Sequence, residues 1–204
     1  MEHGSESKTR TGKSPLRRLD DQLRFLLSLV GNPKKIGAVA PSGKALAAEM
    51  AAQIDPALSG PVIELGPGTG PVTQALIESG IAPERIITVE YDIDFAERLQ
   101  KRFPGIHVIC GDAYDLSTSL NGIVDEKACA IISSLPLFNQ PVEKRTALLN
   151  AAFDILCARG PFVQFTYAPV SPIPRETADI ETTVSDWIFK NVPPARVWTY
   201  RRAL

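Results

Sequence analysis

Three glycines at alternate positions follow an acidic residue in the stretch Val62-Ile63-Glu64-Leu65-Gly66-Pro67-Gly68-Thr69-Gly70. The apolar residues before the glycines are typical of a buried strand, and the run from Val72 to Glu78 is typical of a helix. Glycine admits positive φ and lets a ligand approach the backbone, and the N-terminus of the following helix offers free amide groups. A strand that turns through glycines into a helix predicts a nucleotide site in a doubly wound sheet.

The spacing of the glycines separates the possible kinds of nucleotide site. A P-loop requires Lys and then Ser or Thr after its last glycine, and neither follows Gly70. A dinucleotide fingerprint requires G-x-G-x-x-G, but Pro71 stands at that last position. The remaining pattern resembles the first motif of S-adenosylmethionine-dependent methyltransferases with a Rossmann-like fold. The resemblance implies that Glu64 lies near the methionine end of the cofactor. It also implies that the glycines pass under the cofactor: Gly66, Gly68 and Gly70.

Acidic residues also follow the second and third predicted strands. Glu90 comes 20 residues after the last glycine, where a carboxylate can accept hydrogen bonds from both ribose hydroxyls. Tyr91 or Ile93 is then expected on the adenine face. In the methyltransferase family an acid after the third strand commonly reaches the adenine amino group, so the resemblance assigns Asp112 and the backbone amide of Ala113 to the adenine. The alternatives are an exposed acid at a strand end and an Asp that caps a helix.

The run from Ser134 to Phe138 follows the fourth predicted strand. Methyltransferases that act on planar exocyclic nitrogens resemble one another here, with Asn or Asp, then Pro-Pro or Leu-Pro, then an aromatic residue. This chain keeps Leu-Pro but has Ser134 in the polar place and Leu137 where the aromatic stacks. Both departures argue against a nucleobase target. We predict that Ser134 is catalytic and that Leu135 and Phe138 bind the substrate.

Two residues near the end of the fifth predicted strand are further candidates. Tyr167 is predicted to be catalytic by facing a cationic amine. Arg175 is predicted to bind the substrate by pairing with a phosphate through two hydrogen bonds. The alternatives are a core tyrosine and a surface arginine. No histidine is placed to take a proton from the amine, since the two in the chain are at positions 3 and 107.

Composition bounds the class of protein. The chain has 204 residues, of which 44% are hydrophobic and 22% are charged, as expected of one globular domain. A net charge of −1 gives no general attraction to nucleic acid, so no nucleic-acid partner is expected. The three cysteines have no C-x-x-C spacing, so no metal site is expected. No apolar run approaches the length of a membrane span, and the N-terminus lacks a secretory pattern, so a cytoplasmic location is expected.

The first 35 residues carry a separate charge pattern. They hold eight Lys/Arg and four Asp/Glu, a net charge of +4, which leaves −5 for the remainder of the chain. Apolar residues at helical spacing between Pro15 and Val30 predict an amphipathic helix. Four residues of this segment are predicted to contact an anionic membrane surface, with packing on a folded neighbour as the alternative: Arg17, Arg18, Phe25 and Leu29. We therefore divide the chain into a basic leader, 1–35, and a methyltransferase domain, 36–204.

The body of the chain alternates strands with helices, which predicts an α/β Rossmann-like sheet that is mostly parallel. Ser42 is predicted to cap a helix that runs through Ala45–Gln53. Two alternating runs near the end predict an antiparallel hairpin: Val184–Lys190 and Arg196–Arg201. The predicted parallel strands are 61–66, 86–90, 106–110, 128–134 and 161–167, and the predicted helices between them are 70–79, 93–102 and 141–157.

Taken together, the motifs resemble those of the soluble bacterial phospholipid N-methyltransferases over residues 14–202. The resemblance rests on the basic leader, Gly-Ala-Val-Ala-Pro-Ser, Glu-Leu-Gly-Pro-Gly-Thr-Gly, Ser-Leu-Pro-Leu and Val-Pro-Pro-Ala. It implies stepwise methylation of phosphatidylethanolamine toward phosphatidylcholine, with S-adenosylmethionine as cofactor and S-adenosylhomocysteine as product. It also implies peripheral association with the cytoplasmic membrane. The alternatives are an RNA adenine or small-molecule methyltransferase, because the ribosomal RNA adenine dimethylases have a similar core, and a cofactor-binding surface protein without turnover.

Overall fold

The computed structural model describes residues 41–174 and 179–203. Each parallel strand of this part is a short apolar run, and most of the helices between the strands bury one apolar face. The helices are α1 (Pro41–Ala51), α2 (Pro71–Glu78), α3 (Ile93–Arg102), α4 (Leu116–Ser119) and α5 (Val142–Ile155). The strands are β1 (Val62–Leu65), β2 (Ile86–Glu90), β3 (His107–Cys110), β4 (Ala130–Ser133), β5 (Phe162–Thr166), β6 (Ile180–Val184) and β7 (Arg196–Arg202).

The strands form one sheet in the order β3-β2-β1-β4-β5-β7-β6. Strands β1 to β5 are parallel, and β7 runs antiparallel between β5 and β6. The predicted α/β Rossmann-like fold with an antiparallel C-terminal pair is therefore confirmed. The strand order reverses between β1 and β4, and the crevice beyond their carboxyl ends is where such sheets bind ligands.

Two apolar layers cover the sheet. Helices α1, α2 and α3 pack on one face, and α4 and α5 pack on the other. Strands β1, β2 and β4 are buried throughout, which holds the loops at their carboxyl ends in fixed positions. In the part of the chain that the structure describes, no helix is both long and apolar enough to cross a membrane.

The predicted hairpin is wrong in its first strand. That strand, β6, is Ile180–Val184, and residues 185–195 form the connection to β7. Strand β6 lies at the edge of the sheet with most of its side chains exposed, so its sequence lacks the apolar alternation of a half-buried strand. The alternation after Val184 comes instead from Ile188, which packs on the core while Phe189, which follows it, is exposed.

Helix α1 is described from Pro41, one residue before the predicted cap at Ser42, and the Ser42 side chain is not described, so that cap stays a prediction. The predicted leader and its lipid contacts at Arg17, Arg18, Phe25 and Leu29 lie outside the described residues, as does Arg175. Those assignments and the domain boundary at residue 35 stay predictions.

Candidate active site

The turn from Gly66 to Gly70 joins β1 to α2 at the switch point of the sheet. Gly68 has a φ of +56°, and a Cβ added there would meet nothing within 4 Å, so its backbone borders open space. Gly70 has a φ of +81°, and a Cβ there would lie 2.5 Å from the ring of Phe103. Gly70 is therefore required for packing, whereas Gly68 leaves room for a ligand against the backbone.

The carboxylate of Glu90 lies against this turn. Its Oε2 accepts a hydrogen bond of 2.9 Å from the backbone N–H of Gly68, and its Oε1 accepts one of 3.0 Å from the N–H of Asp92. Glu90 is only 8% exposed. Each carboxylate oxygen has a second lone pair, so Glu90 can also accept hydrogen bonds from the hydroxyls of a bound ribose. The predicted neighbours in the cofactor site, Glu90 and the glycine turn, are therefore brought together.

Glu64 lies on β1 and is completely buried. Its Oε2 accepts a hydrogen bond of 2.6 Å from the hydroxyl of Thr73 on α2. Burial raises the pKa of Glu64 to about 7, the Thr73 hydrogen bonds oppose this, and the charge of Glu90 adds to it. Within the described residues Oε1 has no hydrogen-bond partner. A buried acceptor without a donor is costly, so the site fits a ligand that brings a donor, such as the amino group of S-adenosylmethionine.

The predicted adenine-binding residues follow two adjacent strands. Glu90 pairs with Cys110 in the β2–β3 register, so Tyr91 and Asp112 follow neighbouring strand ends. Tyr91 is 81% exposed and Asp112 is also exposed, whereas Ala113 is buried. The Oδ1 of Asp112 accepts a hydrogen bond of 2.8 Å from the N–H of Tyr114, which fixes the turn. These residues border the same carboxyl edge of the sheet as Gly68, as predicted.

The predicted acceptor residues come next to the glycine turn. The N–H of Ser134 donates a 2.9 Å hydrogen bond to the carbonyl of Leu65, which precedes that turn. The Leu135 side chain packs so closely on Gly66 that an added Cβ there would lie 3.0 Å from it. Both residues are half-buried. Ser134 and Leu135 therefore lie beside the glycine turn that borders the cofactor site.

Position 137 differs from what a nucleobase site requires. Leu137 is 2% exposed and packs in the apolar layer that α4 and α5 form with the sheet. The neighbouring Phe138 is half-buried, and the Arg145 guanidinium lies 5.1 Å from its ring centre. The aromatic surface of this loop is therefore offset by one residue from Leu137 and already carries a cation on one face.

Arg145 was not predicted from the sequence. It donates hydrogen bonds to the carbonyls of Gln140 at 2.7 Å, Pro172 at 3.1 Å and Phe138 at 3.4 Å. It therefore joins the loop after β4 to the loop after β5 on the acceptor side. Because the acceptors of these three hydrogen bonds are backbone carbonyls, no pattern of side chains in the sequence indicates this role.

Tyr167 is half-buried at the end of β5, and its ring meets the Phe165 ring edge-on at a centroid distance of 5.5 Å. Burial raises the pKa of Tyr167, and a hydrogen bond with the Asn191 side chain partly opposes this. The phenol therefore stays protonated at neutral pH, and Asn191 belongs to the connection between β6 and β7. Asn191, which is 4% exposed, was also missed by sequence reasoning.

Solved methyltransferases share this fold. The CcbJ methyltransferase from Streptomyces caelestis matches with a TM-score of 0.61 over 81% of this chain and 97% of that one, at 17% identity. Magnesium protoporphyrin IX methyltransferase from Synechocystis PCC 6803, whose structure contains S-adenosylmethionine, matches with a TM-score of 0.56 over 79% of this chain and 78% of that one, at 13% identity. Likeness at such low identity establishes the fold alone.

Sequence comparisons are more specific. The family model for ribosomal RNA adenine dimethylase matches residues 43–140. The ornithine lipid N-methyltransferase of Singulisphaera acidiphila is 30% identical over 188 residues, which are 90% of this chain and 97% of that protein. Ribosomal RNA small subunit methyltransferase A of Synechococcus sp. strain JA-3-3Ab is 43% identical over 67 residues, but these are only 30% of this chain and 23% of that protein.

A Rossmann-like sheet whose first strand opens into the glycine turn, and whose second strand ends in Glu90, defines this protein as a class I S-adenosylmethionine-dependent methyltransferase. The match to the ornithine lipid N-methyltransferase covers nearly the whole of both chains and therefore identifies the family more specifically. It shows that this chain belongs to the same family as that enzyme. The predicted cofactor is thereby confirmed. The roles assigned to individual site residues, and phosphatidylethanolamine as substrate, stay predictions.

Proposed function

We propose that this methyltransferase acts on the amine of phosphatidylethanolamine, and on its mono- and dimethylated forms, toward phosphatidylcholine. The observation that carries the proposal is the match over 90% of this chain to a relative named as a lipid N-methyltransferase. The ribosomal RNA adenine dimethylase model matches only residues 43–140, which hold the cofactor strands and the start of the acceptor side. That shorter match supports S-adenosylmethionine as the cofactor and does not specify the methyl acceptor.

The acceptor loop favours a lipid amine over a nucleobase. A flipped base is held by stacking on an exposed aromatic ring and by hydrogen bonds to its edge. Leu137 is buried, and the polar position is occupied by a serine hydroxyl rather than by an amide or a carboxylate. A primary amine needs neither a stacking ring nor a planar hydrogen-bonding edge.

The residues around the acceptor position define what this chain contributes to the reaction. Bound S-adenosylmethionine supplies an electrophilic methyl group, and the attacking amine must be neutral. The half-buried Leu135 and Phe138 disfavour an ammonium ion by removing water, which lowers the pKa of an amine held there. Ser134 can accept one N–H of the amine and orient its lone pair. Most of the rate gain would come from such positioning.

Tyr167 is unsuited to be the base, because burial raises its pKa. Its protonated hydroxyl and ring can still attract a cationic amine on arrival. His107 begins β3, at the amino edge of the sheet and away from the acceptor loop. With Tyr167 and His107 set aside, we propose that water accepts the amine proton.

The test uses the full chain, S-adenosylmethionine labelled in its methyl group, and three acceptors in parallel: phosphatidylethanolamine vesicles, ornithine lipid vesicles and small-subunit ribosomal RNA. Label in phosphatidylethanolamine and its mono- and dimethyl forms is expected. Label in ornithine lipid alone would mean that the substrate is a lipid amine other than phosphatidylethanolamine. Label in RNA adenines without label in lipid would overturn the proposal. Glu90→Gln should reduce every activity, while Glu97→Gln, an exposed residue on α3, is the matched control.

A further inference from the structure

The connection between β6 and β7 lies at the same edge of the sheet as the acceptor loop. Arg196, the first residue of β7, pairs with Thr166, the last residue of β5. Residues 185–195 therefore lie next to the carboxyl end of β5 and to Tyr167, which follows it. The connection is therefore at the sheet edge that carries the proposed active site, two strands from the acceptor loop after β4.

The connection is firmly held from within. The N–H of Ile188 donates to the carbonyl of Ala195 at 2.8 Å, and the N–H of Asn191 donates to the carbonyl of Ile188 at 3.1 Å. The side-chain amide of Asn191 donates to the carbonyl of Pro193 at 2.7 Å. Asn191 and Ala195 are buried, at 4% and 0% exposed. The loop therefore has a defined shape, and little conformational entropy is lost when it contacts a partner.

Two large apolar side chains point away from this framework. Phe189 is 75% exposed and Val192 is 80% exposed, and the exposed Lys190 stands between them in sequence. Val170, in the loop after β5, is 56% exposed on the same edge. A single exposed apolar residue is ordinary, but apolar residues that flank a cation on a rigid loop beside an active site call for an explanation.

We propose that Phe189, Lys190 and Val192 form a membrane-contact loop that places the active site against the surface of an anionic bilayer. Phe189 and Val192 enter the boundary between headgroups and acyl chains, and Lys190 pairs with lipid phosphate. A bilayer fits this surface because it presents anionic oxygens next to hydrocarbon, and the loop presents the cation Lys190 together with two exposed apolar side chains. The inference rests on the proposed lipid substrate. It concerns residues other than those of the basic leader.

The test is flotation of the full chain with vesicles of phosphatidylcholine and phosphatidylglycerol, in the absence of the labelled cofactor. The double variant Phe189→Ser, Val192→Ser is expected to weaken vesicle binding by at least about tenfold, since two apolar side chains would no longer be buried in the bilayer. Lys190→Gln is expected to weaken it about fivefold at low salt and less at high salt. Ile123→Ser is the matched control, because Ile123 is 46% exposed in the connection that leads back to the amino end of β4.

Activity separates this inference from the proposed function. The double variant should methylate a short-chain, water-soluble phosphatidylethanolamine as fast as the parent protein, but it should lose activity on vesicles. Its thermal midpoint and cofactor affinity should equal those of the parent. Vesicle binding equal to the parent's would overturn the inference while leaving methylation of the soluble lipid intact. A lowered thermal midpoint would also overturn it, since it would mean that another part of the chain covers Phe189 and Val192. If the parent methylates neither form of the lipid, the proposed function fails instead.

Discussion

Replacing Glu64 by glutamine is expected to change how the stability of the fold depends on pH. Burial raises the pKa of the Glu64 carboxyl from 4.5 to about 7. Between these two values the folded chain binds more protons than the unfolded chain, so the free energy of unfolding falls as pH rises. Stability from the protonated Glu64 is fully present below about pH 4.5 and is lost as pH rises through about 7.

The size of the effect follows from the same two values. Each pKa unit between the folded and unfolded states is worth about 1.4 kcal/mol, so ionised Glu64 costs the fold about 3 kcal/mol above neutral pH. A glutamine side chain at this position cannot ionise and can still accept the Thr73 hydrogen bond that Glu64 now receives at 2.6 Å. Any cost of burying its amide is independent of pH. Relative to the parent, Glu64→Gln should therefore gain up to about 3 kcal/mol between pH 5 and pH 8.

Urea unfolding of the cofactor-free protein at pH 5, 6, 7 and 8 measures this difference, because the titration of groups that do not interact with Glu64 cancels between parent and variant. Glu97→Gln, at an exposed position on α3, is the control for the loss of one carboxylate from the fold. A difference for Glu64→Gln that stays flat to within about 0.5 kcal/mol would refute the argument, since it would show that burial does not raise the pKa.

Further predictions concern the turn and the acceptor loops. Glu90→Ala should weaken S-adenosylmethionine binding by about 1.5–3 kcal/mol in calorimetry, and unchanged affinity would remove Glu90 from the site. Gly68→Val should lose cofactor binding, because a branched side chain disfavours a φ of +56° and fills the open space there. Gly70→Ala should instead lower the thermal midpoint, because its Cβ would lie 2.5 Å from the Phe103 ring. Arg145→Ala should reduce methyl transfer in steady-state kinetics while cofactor affinity stays constant, because it removes the hydrogen bonds that order the acceptor loops. An equal loss of cofactor affinity would contradict this.

The parallel half of the sheet was predictable because its strands are short and largely apolar, and because a glycine or an acid ends the first three of them. β2 was predicted at 86–90, and the structure has Ile86–Glu90. The edge strand β6 was misplaced because four of its five residues face solvent and carry no alternation. Periodicity reports burial rather than hydrogen bonding, so an exposed strand that is held by its ladder to β7 leaves little signal in the sequence.

For the site, motif spacing predicted that Glu90 would lie at the cofactor turn, and the 2.9 Å hydrogen bond from Gly68 places it there. Arg145 and Asn191 could not be predicted in the same way. Both bind backbone carbonyls: Arg145 those of Phe138, Gln140 and the more distant Pro172, and Asn191 that of Pro193. Any residue supplies such an acceptor, so only the folded loops show which arginine or asparagine is used.

Glu64 and Glu90 show how one residue type is put to two uses within one site. Backbone N–H groups donate to both oxygens of Glu90, whereas in the described residues Glu64 receives the Thr73 hydroxyl on one oxygen and nothing on the other. Their mutual repulsion adds to the raised pKa of Glu64. Positive charge and N–H donors brought by a ligand act in the opposite direction and favour the ionised carboxyl. A cationic cofactor would therefore reduce the free-energy cost of ionising Glu64. The site favours a ligand that carries an amino group to the buried end of the turn.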